Sequence, residues 1–125
     1  MRVSIQSPLA DDGSVVIRTE TGEARVVWRG ESPPEFGETD VELTLQGPVR
    51  WGAEVIPVVA GERAGFGEDG SLVAAVDGVD FDGVLRLRMA GDVFMIAPTG
   101  SQPRIGVGDL VRVRGVEIEI YPTNI

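Results

Sequence analysis

The sequence predicts an all-β fold, with a small antiparallel β-barrel as the favoured architecture and a β-sandwich as the alternative. The first observation is that no stretch of eleven or more residues carries an apolar stripe of helical period with a cap at each end. The second is that 17 glycines and 8 prolines divide the 125 residues into short pieces. The third is that these pieces are rich in valine and isoleucine and alternate between apolar and polar residues.

Ten of these pieces are predicted as strands. In one of them Val41, Leu43 and Leu45 project to one face, and the polar residues between them project to the other. The predicted strands are residues 2–6, 14–19, 23–29, 40–46, 53–60, 71–76, 84–90, 93–97, 110–114 and 116–121. Turn-forming pairs separate several of them, namely Thr21-Gly22, Asp77-Gly78, Asp82-Gly83 and Gly91-Asp92.

The pair Gly91-Asp92 predicts the best-defined hairpin. A two-residue type II′ turn at this pair would place Met89 opposite Phe94 and Leu87 opposite Ile96, which gives one continuous apolar face.

A polar, proline-paired segment at residues 31–38 divides the chain into an N-terminal hairpin unit, residues 1–30, and a barrel core, residues 39–125. Thirty residues are too few for an independent domain of two hairpins. We therefore expect residues 1–125 to form a single all-β domain, with the N-terminal strands packed on the barrel.

The C-terminal part contains a glycine-aspartate turn before a valine-rich strand, residues 106–115, Gly-Val-Gly-Asp-Leu-Val-Arg-Val-Arg-Gly. This stretch resembles the closing strand of OB-fold and related small barrels, and residues 77–98 are similar to the hairpin that such barrels place earlier. The resemblance covers about fifty residues. It implies a binding module for oligonucleotides, oligosaccharides or proteins. The chain departs from the pattern in having no helix between its middle strands, in its extra N-terminal strands and in its acidity.

The composition excludes several chemistries. The formal net charge is −9, and all eleven cations are arginines, with no lysine, histidine or cysteine. The chain therefore has no disulfides, no thiolate or histidine metal ligands, and no lysine, cysteine or serine–histidine catalysis. We expect a non-enzyme without a cofactor or resident metal. The N-terminal residues alternate rather than forming the apolar run of a signal peptide, and the longest apolar run has about six residues, so the sequence predicts a cytoplasmic protein without membrane contact.

Two motifs have simple structural interpretations. Residues 65–70, Gly-Phe-Gly-Glu-Asp-Gly, match the dinucleotide-binding pattern of glycines, but no helix can follow and two acids would oppose a phosphate. We expect a flexible loop between strands. Residues 77–83 are similar in composition to a calcium loop but lack carboxylates at its first and last ligand positions. Asp80 and Asp82 remain weak candidates for an irregular cation site; the alternative leaves both aspartates in water and buries Val79 and Phe81.

Two pairs of acids, Asp80/Asp82 and Glu117/Glu119, are each spaced to project from one face of a strand, at a separation of about 6.5–7 Å. Two carboxylates at this distance could act on a glycosidic bond if burial raised the pKa of one of them. We expect both pairs to be solvated instead, which makes a carboxylate-based hydrolase the least favoured function.

Arginines and aromatics supply the candidate binding residues. Arg86 and Arg88 share one strand face, as do Arg112 and Arg114, and adjacent strands would combine them into a patch that could grip phosphate or carboxylate. The favoured alternative pairs these arginines with acids across strands, namely Glu42, Glu117 or Glu119. Trp51 and Phe66 complete the candidate ligand-binding set, because exposed aromatics can stack on bases or sugars. At least one of Trp28 and Trp51 is expected in the core, and Phe36 is a further aromatic that the loop could expose.

The favoured function is non-catalytic binding, with a protein as the leading class of partner, because an acidic surface suits a basic partner. The first alternative is an OB-like oligonucleotide- or oligosaccharide-binding module, which requires arginines without acidic partners. The second is the carboxylate hydrolase, which requires a cleft with two acids, one of them buried.

Overall fold

The computed structural model describes residues 1–59 and 61–123 and contains eleven strands and no helix within them. The strands are β1 (Arg2–Ile5), β2 (Ser14–Thr19), β3 (Gly22–Trp28), β4 (Gly37–Gln46), β5 (Val55–Pro57), β6 (Gly65–Phe66), β7 (Leu72–Val79), β8 (Leu85–Met89), β9 (Asp92–Ile96), β10 (Leu110–Val113) and β11 (Glu117–Pro122). All ten predicted strands are present: residues 14–19 have the predicted ends, and the other nine have one or both ends shifted by one to three residues. The short strand β6 was not predicted. The predicted strand 53–60 includes Ala60, and the predicted core 39–125 includes residues 124 and 125; these three residues lie outside the described ones.

Five strands form a closed barrel in the order β1-β2-β3-β11-β4, with β4 pairing back to β1. The all-β class and the barrel are therefore confirmed. One pair departs from the predicted antiparallel arrangement, since β3 and β11 run parallel and pair at Val27–Glu119 and Trp28–Ile120. The last strand of the described chain thus lies between two strands from its first third.

The remaining strands form a second sheet in the order β5-β10-β7-β8-β9, with the short β6 also paired to β7. This sheet buries one face, to which β8 contributes Leu85, Leu87 and Met89 and β9 contributes Phe94 and Ile96. Buried side chains of the barrel and of the second sheet belong to one hydrophobic cluster. Apolar burial between the two sheets therefore stabilises both.

The predicted grouping into residues 1–30, 31–38 and 39–125 stays a prediction, but the strands are not distributed along those lines. The N-terminal strands β1, β2 and β3 are themselves part of the barrel wall, and β4 begins at Gly37. The second sheet is built from the segment between β4 and β11. It contains both stretches that carried the resemblance to OB folds, so the barrel that closes is formed by other residues.

The hairpin of β8 and β9 has a different register from the predicted one. Leu87 lies opposite Phe94, and Met89 lies opposite Asp92, so the turn residues are Ala90 and Gly91. Both have positive φ, 53° and 79°, as a type I′ turn requires. The predicted type II′ turn at Gly91-Asp92 is wrong: the turn lies one residue earlier, and the pairing register differs by two residues. A two-residue change of register leaves every side chain on its predicted face.

At the tip of the β2–β3 hairpin, the backbone of the barrel packs closely against the backbone of the second sheet at two glycines, Gly22 and Gly65. The Phe66 amide donates to the Thr21 carbonyl at 3.1 Å. A Cβ on Gly22 would lie 2.7 Å from the Phe66 carbonyl oxygen, and a Cβ on Gly65 would overlap the Thr21 carbonyl. This close backbone contact explains the first glycine of the 65–70 motif, Gly65, without a phosphate. Residues 65–66 form a strand rather than the predicted flexible loop.

We predict that Ala90→Asn stabilises the protein by about 1 kcal/mol, because asparagine tolerates the left-handed conformation that costs alanine about that much. Urea unfolding midpoints measure the change. The control Ala90→Val should destabilise, since a β-branched residue is a genuine outlier at positive φ. A lower midpoint for Ala90→Asn would contradict the type I′ turn.

We predict that Gly65→Ala destabilises by about 3 kcal/mol, because the new methyl group overlaps backbone atoms at a positive φ of 148°. Gly70→Ala is the matched control from the same loop, where φ is 83° and no atom lies within 4 Å of the added Cβ. It should cost only about 1 kcal/mol for the conformation. Equal losses in thermal unfolding would show that the backbone contact is not tight.

Candidate functional site

Three of the four predicted arginines lie on one face of the second sheet and are paired with acids. Arg88 on β8 and Arg112 on β10 lie on either side of β7, opposite Ala75 and Val73. Arg86 contacts the Asp80 carboxylate, Arg88 contacts that of Asp77, and Arg112 contacts that of Glu62 at 2.7 Å. Arg114 follows β10 and donates from Nε to the Ala53 carbonyl at 3.1 Å. The acidic partners differ from the expected Glu42, Glu117 and Glu119, all of which lie on barrel strands.

A β-bulge in β7 positions the arginines of β8. The pairing register shifts between Val76 and Gly78, so Asp77 is the extra residue. A Cβ on Gly78 would overlap the Arg86 guanidinium, which lies over this glycine. The predicted turn at Asp77-Gly78 is therefore wrong: these two residues belong to the strand, where one supplies a carboxylate and the other leaves space for a guanidinium.

The two aromatic candidates lie apart from an exposed stacking surface. Phe66 is 9% exposed and pairs with Leu72 in the core. Trp51 is partly buried against the core and forms an isolated bridge with Val55. Trp28 is also partly buried against the core. Phe66 therefore presents no free ring to a base or sugar in this conformation.

The aspartates of the 77–83 segment have protein partners. Asp80 pairs with Arg86, and Asp82 accepts a hydrogen bond from the Val84 amide at 3.3 Å. Within residues 1–59 and 61–123, no three side chains of histidine, cysteine, aspartate or glutamate converge as metal ligands. The expectation that Phe81 is buried is wrong, because this side chain is fully exposed at the tip of the turn.

The most deeply buried carboxylate is Glu119, which the sequence predicted to be solvated. Its side chain is 5% exposed and contacts the Arg29 guanidinium, whose Nε donates to Glu119 Oε2 at 2.6 Å. The Tyr121 hydroxyl donates to Glu119 Oε1 at 3.2 Å, and Glu117 Oε2 lies 3.6 Å from Arg29. We call these four residues the seam cluster, because they lie where β11 meets β3 and the residue that follows β3.

Electrostatics keep Glu119 ionised. Burial alone would raise its pKa, but the hydrogen bonds from Arg29 and Tyr121 outweigh burial, so the pKa of Glu119 lies below its ordinary value. The hydrogen bond to Glu119 raises the pKa of Arg29, and burial together with the same carboxylate raises the pKa of Tyr121. A general acid needs a raised carboxyl pKa. The pKa of Glu119 is lowered instead, although Glu119 is the buried carboxylate of the Glu117/Glu119 pair.

A cleft of about 700 Å³ lies beside the seam cluster, under the loop of residues 29–36 that connects β3 with β4. We call it the connector cleft. Its aromatic wall consists of Trp28, Phe36 and Tyr121, and Phe36 is 69% exposed. The lining also includes two acids and two prolines of the loop, Glu31, Pro33, Pro34 and Glu35, and one acid of β4, Glu38. The signal in the sequence was the proline-paired acidic segment, which predicted a loop but not a cleft.

The indole of Trp28 is fixed in this cleft. Its Nε1 donates to the Ser32 carbonyl at 2.8 Å. Gly30 lies against the ring, since a Cβ there would come within 2.6 Å of Nε1. The loop therefore encloses one edge of the indole, and only glycine fits at position 30 without displacement.

A second surface lies at one end of the second sheet. Val59 follows β5, Val107 precedes β10, and Phe81 lies in the turn between β7 and β8; they are 80%, 75% and 105% exposed. These are the three most exposed large hydrophobic side chains among the described residues. Because β5 and β7 both run antiparallel to β10, the end of β5, the start of β10 and the end of β7 share one end of the sheet. We call these three residues the tip surface.

Hydrogen bonds hold two of the tip loops in place. In the turn with Phe81, the Gly83 amide donates to the Asp80 carbonyl at 2.9 Å. In the loop with Val107, the Gly106 amide donates to the Asp109 carboxylate at 2.8 Å. Local bonding therefore presents these apolar side chains to solvent in fixed positions.

No protein-family model matches the chain, and comparison with curated proteins and with solved structures likewise gives no significant match. In the described part of the chain, no helix is long and apolar enough to span a membrane.

We predict that Glu119→Gln lowers the melting temperature at neutral pH and that its deficit shrinks in acid. A carboxylate with a lowered folded pKa stabilises the fold fully above its unfolded pKa, near 4.5, and loses this contribution as the pH falls through the folded pKa. Thermal unfolding from pH 7 to pH 3 measures the difference between wild type and variant. Glu117→Gln, whose side chain is 53% exposed, is the control and should have a smaller effect. A deficit that stays constant with pH would contradict an ionised Glu119.

Proposed function

We propose that this protein is a non-catalytic binding domain whose partner is another protein, and that the partner contacts the tip surface. The observation that carries the proposal is the position of the three most exposed large hydrophobic side chains at one end of one sheet. Monomeric proteins leave most such side chains scattered, and a group of them with a polar rim is typical of interaction sites.

The composition of the tip favours a protein over other ligands. Phe81 is a fully exposed aromatic side chain, and aromatic residues dominate the binding energy of protein interfaces when they enter a pocket on the partner. Asp80 and Asp82 flank it on the turn. A partner with an apolar pocket and a basic rim would complement both features, and the net charge of −9 would accelerate its approach.

Charge pairing counts against the OB-like alternative. That function requires an arginine face free to bind phosphate, yet Arg86, Arg88 and Arg112 each contact a carboxylate. A nucleic acid would have to displace those carboxylates against the field of an acidic protein.

The hydrolase alternative requires a protonated carboxyl group. Glu117 and Glu119 do combine one exposed and one buried carboxylate, but both contact Arg29. Burial alone would raise the pKa of Glu119, but the hydrogen bonds from Arg29 and Tyr121 lower it. A carboxyl group that protonates a leaving group needs a raised pKa, so this pair does not favour the hydrolase.

Affinity capture tests the proposal. Immobilised wild-type protein, the double variant Phe81→Ser/Val107→Ser and the control Met95→Ser are exposed to lysate of the source organism. Met95 is 65% exposed on β9 and lies outside the tip surface, so the control removes an exposed apolar side chain from another part of the same sheet. We expect a protein that binds wild type and control but binds the double variant about 30-fold more weakly, the effect of losing roughly 2 kcal/mol. Capture that is equal for all three proteins, or absent for wild type, would contradict it.

A second measurement addresses the nucleic-acid alternative. The anisotropy of labelled single-stranded DNA and RNA is followed while protein is added at ~50 mM salt, where electrostatic binding is strong. We expect no change for either probe. Micromolar binding that weakens steeply with added salt would instead favour the OB-like function.

A further inference from the structure

We propose that the connector cleft binds the guanidinium of an arginine side chain presented by a protein segment. This site is separate from the tip surface and does not depend on it. Three features support the assignment, namely the charge of the cleft, its aromatic wall and its rigidity.

The cleft carries negative charge without a free cation. Glu31 and Glu35 are exposed on the loop, and among the described residues neither forms an ion pair. Glu38 shares Arg2 with Asp40, at 3.4 and 3.1 Å. Arg29, the one arginine that lines the cleft, already contacts two carboxylates of the seam cluster. The ligand that complements this charge is therefore a cation.

The aromatic wall selects the kind of cation. The lining includes the rings of Trp28, Phe36 and Tyr121. An aromatic ring attracts a cation that lies over its face within about 6 Å, and tryptophan attracts it most strongly of the three. A guanidinium stacks on such rings with its flat face while its edge donates to carboxylates in a fork. Glu31 and Glu35 on the loop provide carboxylates for that edge. An ammonium group is a compact, strongly hydrated charge and would satisfy only one of these contacts at a time.

Two of the three rings of the wall are held by hydrogen bonds before any ligand arrives. The indole of Trp28 donates to Ser32, and the hydroxyl of Tyr121 donates to Glu119, which Arg29 holds in turn. Pro33 and Pro34 restrict the backbone of the loop between them. Because such a site loses little conformational entropy on binding, it binds a ligand more tightly than a mobile loop of the same composition. Phe36 is the most exposed ring of this wall, so its removal should affect binding without affecting the fold.

The experiment uses two-dimensional NMR of the full chain, in which each of the two tryptophans gives one indole N–H signal. The variant Trp51→Phe assigns the Trp28 signal by elimination. The probe is a capped pentapeptide with two arginines among glycines, and the matched peptides replace arginine by citrulline, which has the same shape without charge, or by lysine. We expect the arginine peptide to shift the Trp28 signal in a saturable manner that weakens with salt. The citrulline peptide should give no shift, and the lysine peptide a weaker affinity.

Two variants localise the binding. Phe36→Ala and Glu35→Gln should each weaken the arginine peptide by about fivefold, equivalent to roughly 1 kcal/mol for a lost cation–π or charge contact. Met95→Ala, which removes an exposed side chain from β9, should leave the affinity unchanged. The inference is overturned if the arginine peptide does not shift the Trp28 signal at millimolar concentration, if citrulline or lysine binds equally well, or if both cleft variants bind like wild type. The capture experiment on the tip surface does not depend on any of these results.

Discussion

The closure of the barrel by β11 is the interaction on which the rest of the structure depends. This strand pairs with β4 along its whole length, from Glu117–Gln46 to Pro122–Val41, and on its other side it meets β3 in parallel. The Arg29 amide donates to the Ile120 carbonyl at 3.0 Å, and the Arg29 side chain forms an ion pair with Glu119. Because β4 and β11 are neighbours in the barrel, the segment between them must leave the barrel and return. That segment forms the second sheet, whose tip surface and arginine face are therefore carried by an insertion in the barrel.

The distribution of ion pairs explains why an acidic protein with eleven arginines still presents a negative surface. Within the described part of the chain, six arginines form ion pairs: Arg2, Arg18, Arg29, Arg86, Arg88 and Arg112. Arg25 donates to the Ser14 hydroxyl at 2.9 Å. Most of these pairs are partly exposed and contribute little to stability individually. Their main consequence concerns binding. The paired arginines are not free to bind phosphate, and the carboxylates in excess of the arginines remain exposed to solvent.

Features that depend on the local alternation of apolar and polar residues were predicted from the sequence. Features that depend on contacts between residues far apart in the chain were missed. The two-residue error in the β8–β9 register was invisible to the hydrophobic pattern, since both registers bury Leu87 and Phe94. Phe66 and Phe81 both lie in glycine-rich segments, yet one is core and the other fully exposed. The difference arises because Gly65 packs against the β2–β3 hairpin, a contact between distant parts of the chain. Glu119 was expected in water because its burial requires Arg29, ninety residues earlier.

Native-state hydrogen exchange of the backbone amides, followed residue by residue, tests barrel closure most directly. If β11 completes one cooperative barrel, the protected amides of β11 and of β4 exchange with the same free energy, equal to that of global unfolding. The amide of Arg29, which bonds to Ile120, should belong to the same group. Exchange of the β11 amides at a much lower free energy than those of β1, β2 and β4 would show that the last strand opens by itself, and would contradict the account of a closed barrel.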